Sequence, residues 1–236
     1  SRFHVISPEA GGLPTSALQR GCLMGGLRQA VASAAVHLPP TRLTQINDAA
    51  SPAQDHACFP SWKPHMQLVC PAGNLPALQA AVDAGANAVY AGFRDQTNAR
   101  AFPGLNFSDE ELGAGIRYAH AKNAKVYLAL NTYPDSARLK DWHAAVDKAA
   151  TLGCDAIIAA EMAVLDYAAR THPGLPRHLS VQGSATTAPA LRYAYERFGI
   201  SRAVLPRVLS IQQVERLCQN SPVAIEVFAF GSLCIM

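Results

Sequence analysis

The sequence predicts an α/β fold, a (β/α)8 TIM-like barrel that is truncated after about seven strands. From residue 66 onward, seven short apolar segments alternate with amphipathic segments, a pattern typical of a parallel sheet covered by helices. No glycine-rich dinucleotide signature accompanies them, which favours a closing barrel over a doubly wound sheet. An eight-stranded barrel typically takes about 250 residues, more than remain between Met66 and Met236. We therefore expect the eighth strand beyond Met236 and interpret the chain as a fragment with an unclosed barrel.

Each predicted element has a local signal. The first strand, MQLVCPAG (66–73), is followed by Asn74 as a helix N-cap and Pro76 in the first helical turn. Ser108 and Glu111 have the spacing of a capping box, as do Ser210 and Gln213 before the last helix. The other predicted strands are 88–93, 125–131, 156–160, 177–182, 202–206 and 224–230.

An internal similarity supports the repeat. AGANAVYAG (84–92) and LGCDAIIAA (152–160) both have a glycine at a helix end, a polar turn residue and then a buried strand. The recurrence agrees with the strict alternation of strands and helices along the chain.

Residues 1–65 differ from the rest of the chain. They are rich in Ala, Pro, Ser and Gln and have no alternating strand pattern, so we predict a disordered extension or a mis-set start. A small helical appendage is the alternative, since 23–38 has the composition of a weak helix interrupted by Gly25, Gly26 and Arg28. The barrel domain is predicted to occupy 66–236.

Composition excludes several classes of protein. The formal charge is +3, and the sequence has no basic stripe of the kind that binds nucleic acid. This argues against DNA and against RNA as partners. No apolar run is long enough to form a transmembrane segment. The six cysteines form no CxxC pair, which suits a reducing compartment, the bacterial cytoplasm, better than a disulfide framework.

In a barrel enzyme, function is expected at the carboxyl ends of the strands. Nearly every predicted strand here ends in a polar or ionisable residue. The substrate-binding candidates taken from these ends and from the final strand are Asn98, Arg100, Asn131, Gln182, Arg207 and Glu226. Some residues at strand ends must instead be helix caps, so both interpretations stay open for each.

The loop at 95–107 is long for such a connection and resembles a binding loop. Asn98 and Arg100 suit a carboxylate or phenolate, and Phe102 and Phe107 suit stacking on an aromatic ring. Packing of the two phenylalanines against the barrel is the equal alternative. Glu226 alternates with Phe228 on a buried strand, so its carboxylate should pair, for instance with Arg207, or contact substrate.

The cysteines lie in different settings. Cys154 and Cys218 are predicted to lie in the core, and Cys70 to pack rather than act as a nucleophile, because no histidine sits at a strand end to serve as its base. By residue type alone Cys234 is more often a buried small hydrophobe than a ligand. It is nevertheless expected at the barrel mouth, where it follows Gly231 and Ser232.

The segment Glu226-x-Phe228-x-x-Gly231-Ser232-Leu233-Cys234 resembles the start of the signature of the collagenase-like peptidases, unassigned peptidase family thirty-two. The segments 66–78, 88–108, 180–187 and 202–210 extend the similarity over 66–236, and they most resemble the branch that serves ubiquinone biosynthesis. That resemblance implies a 4Fe-4S cluster with four cysteine ligands, of which Cys234 matches the first. The other three would fall beyond Met236, so this fragment is expected to hold no cluster and to be inactive alone.

The resemblance also implies a function. The expected role is oxygen-independent hydroxylation of a prenylated aromatic quinone precursor, in a heterodimer with a UbiV-like subunit. A collagenase-like peptidase is the alternative, although HExxH and GxSxG are absent. An RNA-base hydroxylase and a non-catalytic scaffold subunit are the others. The residues identify no catalytic group, ring position or source of the oxygen atom.

Overall fold

The computed structural model describes residues 34–38 and 66–230. The strands are β1 Ala34–Leu38, β2 Gln67–Pro71, β3 Ala88–Ala91, β4 Lys125–Leu130, β5 Ala156–Ala159, β6 Arg177–Leu179, β7 Arg202–Val204 and β8 Ala224–Phe230. The helices are α1 Leu75–Asp83, α2 Asp109–His120, α3 Leu139–Leu152, α4 Met162–Thr171, α5 Ala188–Phe198 and α6 Ile211–Asn220. All seven strands predicted from residue 66 onward are present, which confirms the α/β barrel architecture.

The strands form one closed barrel in chain order. From β2 to β8 every neighbouring pair is parallel, whereas β1 is antiparallel to both β2 and β8. In this respect the structure differs from the expected unclosed barrel. Seven strands alone would leave unpaired N–H and C=O groups along the edges of β2 and β8, and β1 pairs with both edges. Its residue His37 is the Cα partner of Gln67 on one side and of Glu226 on the other.

The strand at Ala34–Leu38 also differs from the weak helix considered for 23–38. Pairing with two distant strands, which no local pattern reports, decides the conformation of these five residues. Residues 1–33 and 39–65 lie outside the described residues, so the predicted disorder of the extension stays a prediction there.

The helix starts follow the predicted capping signals. The side chain of Asn74 accepts a hydrogen bond from the backbone N–H of Ala77. Ser108 with Glu111 and Ser210 with Gln213 both form complete capping boxes. Each box satisfies backbone donors that the first helical turn leaves unpaired, and so fixes where the helix begins.

The internal similarity corresponds to one recurring contact at the amino-terminal ends of the strands. Asn87 accepts a hydrogen bond from the backbone N–H of Leu68 through its side chain, at 2.7 Å, and its own N–H donates to the Leu68 carbonyl. Asp155 makes the same pair of contacts with Val126, the side-chain bond being 2.8 Å. In both segments the polar turn residue therefore ties the new strand to the preceding one.

The core has two separate parts. A large apolar cluster lies between the strands and the helices. A smaller cluster fills the barrel interior with strand residues alone, namely Val69, Ala88, Tyr127, Ala156 and Ile158. The described part of the barrel is thus packed with side chains rather than open as a channel.

An ion pair lies inside the barrel beside the smaller cluster. Nη1 of Arg202 is 3.0 Å from Oε2 of Glu226, and both residues are buried. Nη2 of Arg202 donates to Gln67 Oε1 at 2.8 Å, and the guanidinium carbon lies 5.3 Å from the centroid of the Tyr127 ring. The predicted pairing of Glu226 with Arg207 is therefore wrong. Val204 is the register partner of Glu226, and Arg202, two residues earlier, faces the same side of the sheet.

Burial raises the pKa of Glu226, and the neighbouring Arg202 opposes that shift without cancelling it. Burial likewise raises the pKa of the Tyr127 hydroxyl. The barrel interior therefore holds ionisable groups that water does not reach, and their charges must be balanced among themselves.

Among the described residues, no helix combines the length and the apolar character needed to cross a lipid bilayer.

We predict that Arg202→Met lowers the free energy of unfolding by about 3–5 kcal/mol, because it leaves the Glu226 carboxylate buried without its partner. The double variant Arg202→Met/Glu226→Leu should regain most of this loss, since both buried charges are then gone. Chemical denaturation followed by circular dichroism measures both values. Equal destabilisation in the single and double variants would contradict a coupled pair.

A second prediction concerns pH. Because the pKa of Glu226 is raised in the folded state, the folded protein holds this proton more tightly than the unfolded chain. The stabilisation is complete below the ordinary glutamate pKa of about 4.3 and is lost as the pH rises through the raised value. Glu226→Gln should remove this part of the pH dependence, as measured by unfolding at a series of pH values. Parallel profiles for the two proteins would rule the assignment out.

Candidate functional site

The carboxyl ends of β2 to β8 meet at one face of the barrel, which we call the mouth. Because these strands are parallel, the described segments that follow β2 to β7 all lie there. The loop from Gly92 to Phe107, between β3 and α2, is the longest of those described. Phe93 and Phe107 at its two ends form a parallel bridge and are buried. Phe107 therefore packs against the barrel, which was the alternative to stacking on a substrate ring. Phe102, by contrast, is 59% exposed at the mouth.

Asn98 is buried inside this loop. Its Nδ2 donates to Oδ1 of Asn106 at 2.9 Å, and its Oδ1 accepts a hydrogen bond from the backbone N–H of Arg100 at 3.1 Å. A Cβ atom at Gly92 would lie 2.0 Å from Asn98 Nδ2, so this position requires glycine. Asn98 therefore organises the loop from within, and its side chain is not an open contact for substrate.

Asn106 is the central residue of the loop, and sequence reasoning missed it. It is 5% exposed, has a φ of +73°, and its N–H donates to the Gly73 carbonyl at 2.5 Å. Its Nδ2 donates to the Arg100 carbonyl at 2.6 Å, and its own carbonyl accepts from Arg94 Nε at 3.0 Å. The available signal was an asparagine two residues after Gly104, since asparagine tolerates left-handed backbone better than most residues.

Arg100 is held by its backbone and exposes its side chain to solvent. Arg94, by contrast, forms an ion pair with Glu111 in addition to its bond with Asn106. The loop thus places two arginines near the mouth, and the Arg94 side chain helps to hold the loop to α2.

Asn131 joins β4 to the same loop. Its Oδ1 accepts a hydrogen bond from the backbone N–H of Ala99 at 3.0 Å. The next residue, Thr132, adds a bond from its hydroxyl to the Gln96 carbonyl at 2.5 Å. The structure therefore brings Asn98, Arg100 and Asn131 together, with Asn131 bracing the loop.

The remaining candidates lie elsewhere. Gln182 is in a short 3-10 turn after β6, and its carbonyl accepts a hydrogen bond from the Tyr133 hydroxyl at 2.7 Å. The Arg207 guanidinium stacks on the Phe228 ring at 3.7 Å, across the ends of β7 and β8. Glu226 lies in the barrel interior with Arg202, so the structure does not bring it together with the loop residues.

The described cysteines are structural. Burial raises the thiol pKa of Cys154 to about 12 and that of Cys218 to about 11, and both are buried in the apolar core as predicted. Burial also raises the pKa of Cys70, which is half-buried and packs against the same core. Raised pKa values keep these thiols protonated and unreactive near neutral pH. Cys234 lies outside the described residues.

Within 34–38 and 66–230, no group of three or more His, Cys, Asp or Glu residues could hold a metal ion. These residues therefore do not supply the ligand set of an iron–sulfur cluster. The assignment of Cys234 as the first ligand stays a prediction.

Exposed apolar side chains surround the mouth. Six of the large hydrophobic residues that are exposed follow the strand ends, and we call them the apolar rim: Phe102, Tyr133, Met162, Val208, Ile211 and Phe230. They come from the segments after β3, β4, β5 and β7 and from the end of β8, and Val208 is 84% exposed. Exposed apolar groups gathered on one face indicate a binding surface.

Three proteins illustrate what the chain is similar to in sequence. The tRNA hydroxylation protein P of Helicobacter pylori (strain ATCC 700392 / 26695) is 36% identical over 72% of this chain and 40% of its own length. The protein of the same name from Escherichia coli (strain K12) is 32% identical, over 72% and 37%. A collagenase of Porphyromonas gingivalis is 34% identical, over 72% and 42%. The chain thus spans about two-fifths of the length of these relatives.

A solved structure described as the U32 peptidase Mk0906 superimposes with a TM-score of 0.55 over 70% of each chain, at 13% sequence identity. This likeness supports the barrel fold.

The profile of Peptidase family U32 matches residues 73–236, from the turn after β2 onward. The predicted resemblance to the collagenase-like peptidases is thereby confirmed at the level of the family. The chain belongs to peptidase family U32.

Proposed function

We propose that this chain is the barrel part of an oxygen-independent hydroxylase that acts on a prenylated ubiquinone precursor, as the UbiU branch of the family does. The observation that carries the proposal is the apolar rim. A mouth surrounded by phenylalanine, tyrosine, methionine and aliphatic side chains suits an aromatic ring that bears a long hydrocarbon chain.

The distribution of charge supports the same substrate class. Between Met66 and Met236 the sequence has 15 Lys and Arg against 14 Asp and Glu. Of the arginines near the mouth, Arg94 pairs with Glu111, and Arg138 pairs with Asp141. A segment with nearly balanced charge has little attraction for a polyphosphate chain but does not repel a lipid-like molecule.

In this proposal, the residues of the chain bind and orient the substrate. Arg100 and Arg207 would contact an oxygen substituent of the ring, and Phe102 offers a face for stacking. A 4Fe-4S cluster, with Cys234 as one thiolate ligand and three ligands outside this sequence, would supply electron transfer. A UbiV-like subunit is the proposed partner, and a reducing cytoplasm the proposed location, since thiolate ligands and free cysteines persist there.

RNA-base hydroxylation is the second candidate. Two of the relatives described above are tRNA hydroxylation proteins, and exposed aromatic side chains of the rim would also stack on an unpaired base. The balanced charge disfavours it, because RNA affinity depends on clustered Lys and Arg at the phosphates. Phosphate contacts from the rest of a longer polypeptide would remove this objection.

Peptide hydrolysis has weaker support. The described cysteines have raised pKa values, which is opposite to what a nucleophilic thiol requires. His120 and His172 pair with Asp155 and Asp147 on the outer helices and turns, away from the mouth. In a non-catalytic scaffold role, the mouth would bind a partner or ligand and no iron–sulfur cluster would be required.

The full-length polypeptide, purified without oxygen together with its partner, should contain about four iron atoms per chain and show a broad visible band. Cys234→Ala should lose both while keeping its circular dichroism spectrum. Little iron in the natural protein would rule out the cluster-dependent enzyme.

Cells that lack this gene and grow without oxygen should accumulate unhydroxylated quinone intermediates and keep normal tRNA nucleosides, as measured by liquid chromatography and mass spectrometry. Loss of a hydroxylated nucleoside with normal quinones would instead establish the second candidate.

The double variant Val208→Ser/Ile211→Ser should weaken binding of a short-chain ubiquinone by about tenfold or more, because it removes apolar area from the rim. Titration followed by protein fluorescence measures the affinity. Tyr195→Ser provides the control, since Tyr195 is 41% exposed on α5 and lies outside the rim. Equal effects of the two changes would show that the rim does not bind the quinone.

A further inference from the structure

We propose that Asn98 and Asn106 are positioning residues that fix the backbone of Arg100, so that its guanidinium is a preorganised binding group for an oxyanion at the mouth. This inference rests on the proposed function only in placing the substrate at the mouth. It adds that the loop recognises an oxyanion and that Asn98 and Asn106 position the arginine that binds it.

The peptide groups on both sides of Arg100 are held by these two side chains. Its N–H donates to Asn98 Oδ1 at 3.1 Å, and its carbonyl accepts from Asn106 Nδ2 at 2.6 Å. The two asparagines are joined to each other by the bond from Asn98 Nδ2 to Asn106 Oδ1 at 2.9 Å. We call this arrangement the asparagine clamp. Both backbone polar groups of an exposed arginine are thus hydrogen-bonded to buried side chains.

The clamp is costly to build, which argues that it does more than close a loop. Both asparagine side chains are removed from water, and each buried amide loses hydration that only good partners restore. Asn106 also adopts left-handed backbone at a φ of +73°. A side chain at position 92 would overlap with Asn98, so the clamp also depends on Gly92. Strained and fully bonded polar backbone of this kind concentrates at ligand-binding sites.

The clamp is also braced from three elements. Asn106 N–H donates to the Gly73 carbonyl after β2, and Arg94 bridges the Asn106 carbonyl to Glu111 on α2. Asn131, at the end of β4, accepts from the N–H of Ala99, the neighbour of Arg100. A binding group that is already held by rigid elements loses little conformational entropy when a ligand binds.

The guanidinium of Arg100 indicates the class of ligand. A guanidinium presents parallel N–H donors that match the two oxygens of a carboxylate or a phosphate. An aryl carboxylate and an RNA phosphate share this chemistry, so the experiment separates the two sources.

The full-length protein is titrated with benzoate and adenosine 5′-monophosphate, each beside its uncharged analogue, benzamide and adenosine. Arg100→Gln should weaken benzoate binding by about tenfold or more and leave benzamide unchanged. Arg138→Gln is the matched control, because Arg138 is an exposed arginine after β4 that forms an ion pair with Asp141, and it should bind benzoate like the natural protein.

Asn106→Asp removes the donor to the Arg100 carbonyl and keeps a side chain that tolerates left-handed backbone. It should reduce the preference for benzoate over benzamide, and the double variant Arg100→Gln/Asn106→Asp should bind no more weakly than Arg100→Gln alone. Asn123→Asp is its control, because Asn123 has a φ of +58° far from the mouth.

Additive losses in the double variant, or binding of both benzoate and adenosine 5′-monophosphate by Arg100→Gln at the natural affinity, would overturn the proposal. Dependence on Arg100 for adenosine 5′-monophosphate but not for benzoate would uphold the oxyanion site and reject the quinone substrate. The failure of the proposed function is thus distinguishable from the failure of this inference.

Discussion

The ion pair between Arg202 and Glu226 is the constraint on which the barrel depends. It joins β7 to β8 inside the barrel, and through Gln67 it also reaches β2 across the interior. A buried pair adds little stability over an apolar core of the same volume, but neither partner is tolerated alone. The pair therefore selects one register of β8 against β7, because a shift of one residue would move Glu226 to the helix side of the sheet.

Side chains fill the described part of the barrel interior and leave little room there for a substrate. Tyr127 packs edge-on against His178 at 4.7 Å beneath the arginine, so side chains occupy the described part of the interior. The proposed substrate is therefore expected above them, on segments that follow the strands. This explains why exposed apolar groups collect at the mouth while the helix-facing side of the strands belongs to the continuous apolar core.

The elements predicted correctly are those with local signals. Seven apolar strands, two capping boxes and the paired turns at Asn87 and Asp155 are each encoded within a few residues. Strand β1 was not predicted, because its two partners are remote in the chain and its five residues carry no turn signal. Choosing Arg202 rather than Arg207 as the partner of Glu226 requires knowing which residues of β7 face inward and where the strand ends. Asn106 was missed for the same reason, since its partners include Gly73 on another loop.

The candidate residues at the mouth separate into those that build the site and those that present groups to a ligand. Asn98 and Asn131 were proposed to bind substrate, but their side-chain oxygens accept backbone hydrogen bonds within and beside one loop. Amide side chains suit that task because they bond on two sides without adding charge. The exposed groups are then Arg100 and the apolar rim, one cationic and the others apolar. A ligand that satisfies both must carry an anionic or electron-rich oxygen beside an extended apolar surface. A prenylated phenol meets this description directly, whereas a nucleotide meets it only when a base stacks on the rim while its phosphate reaches Arg100.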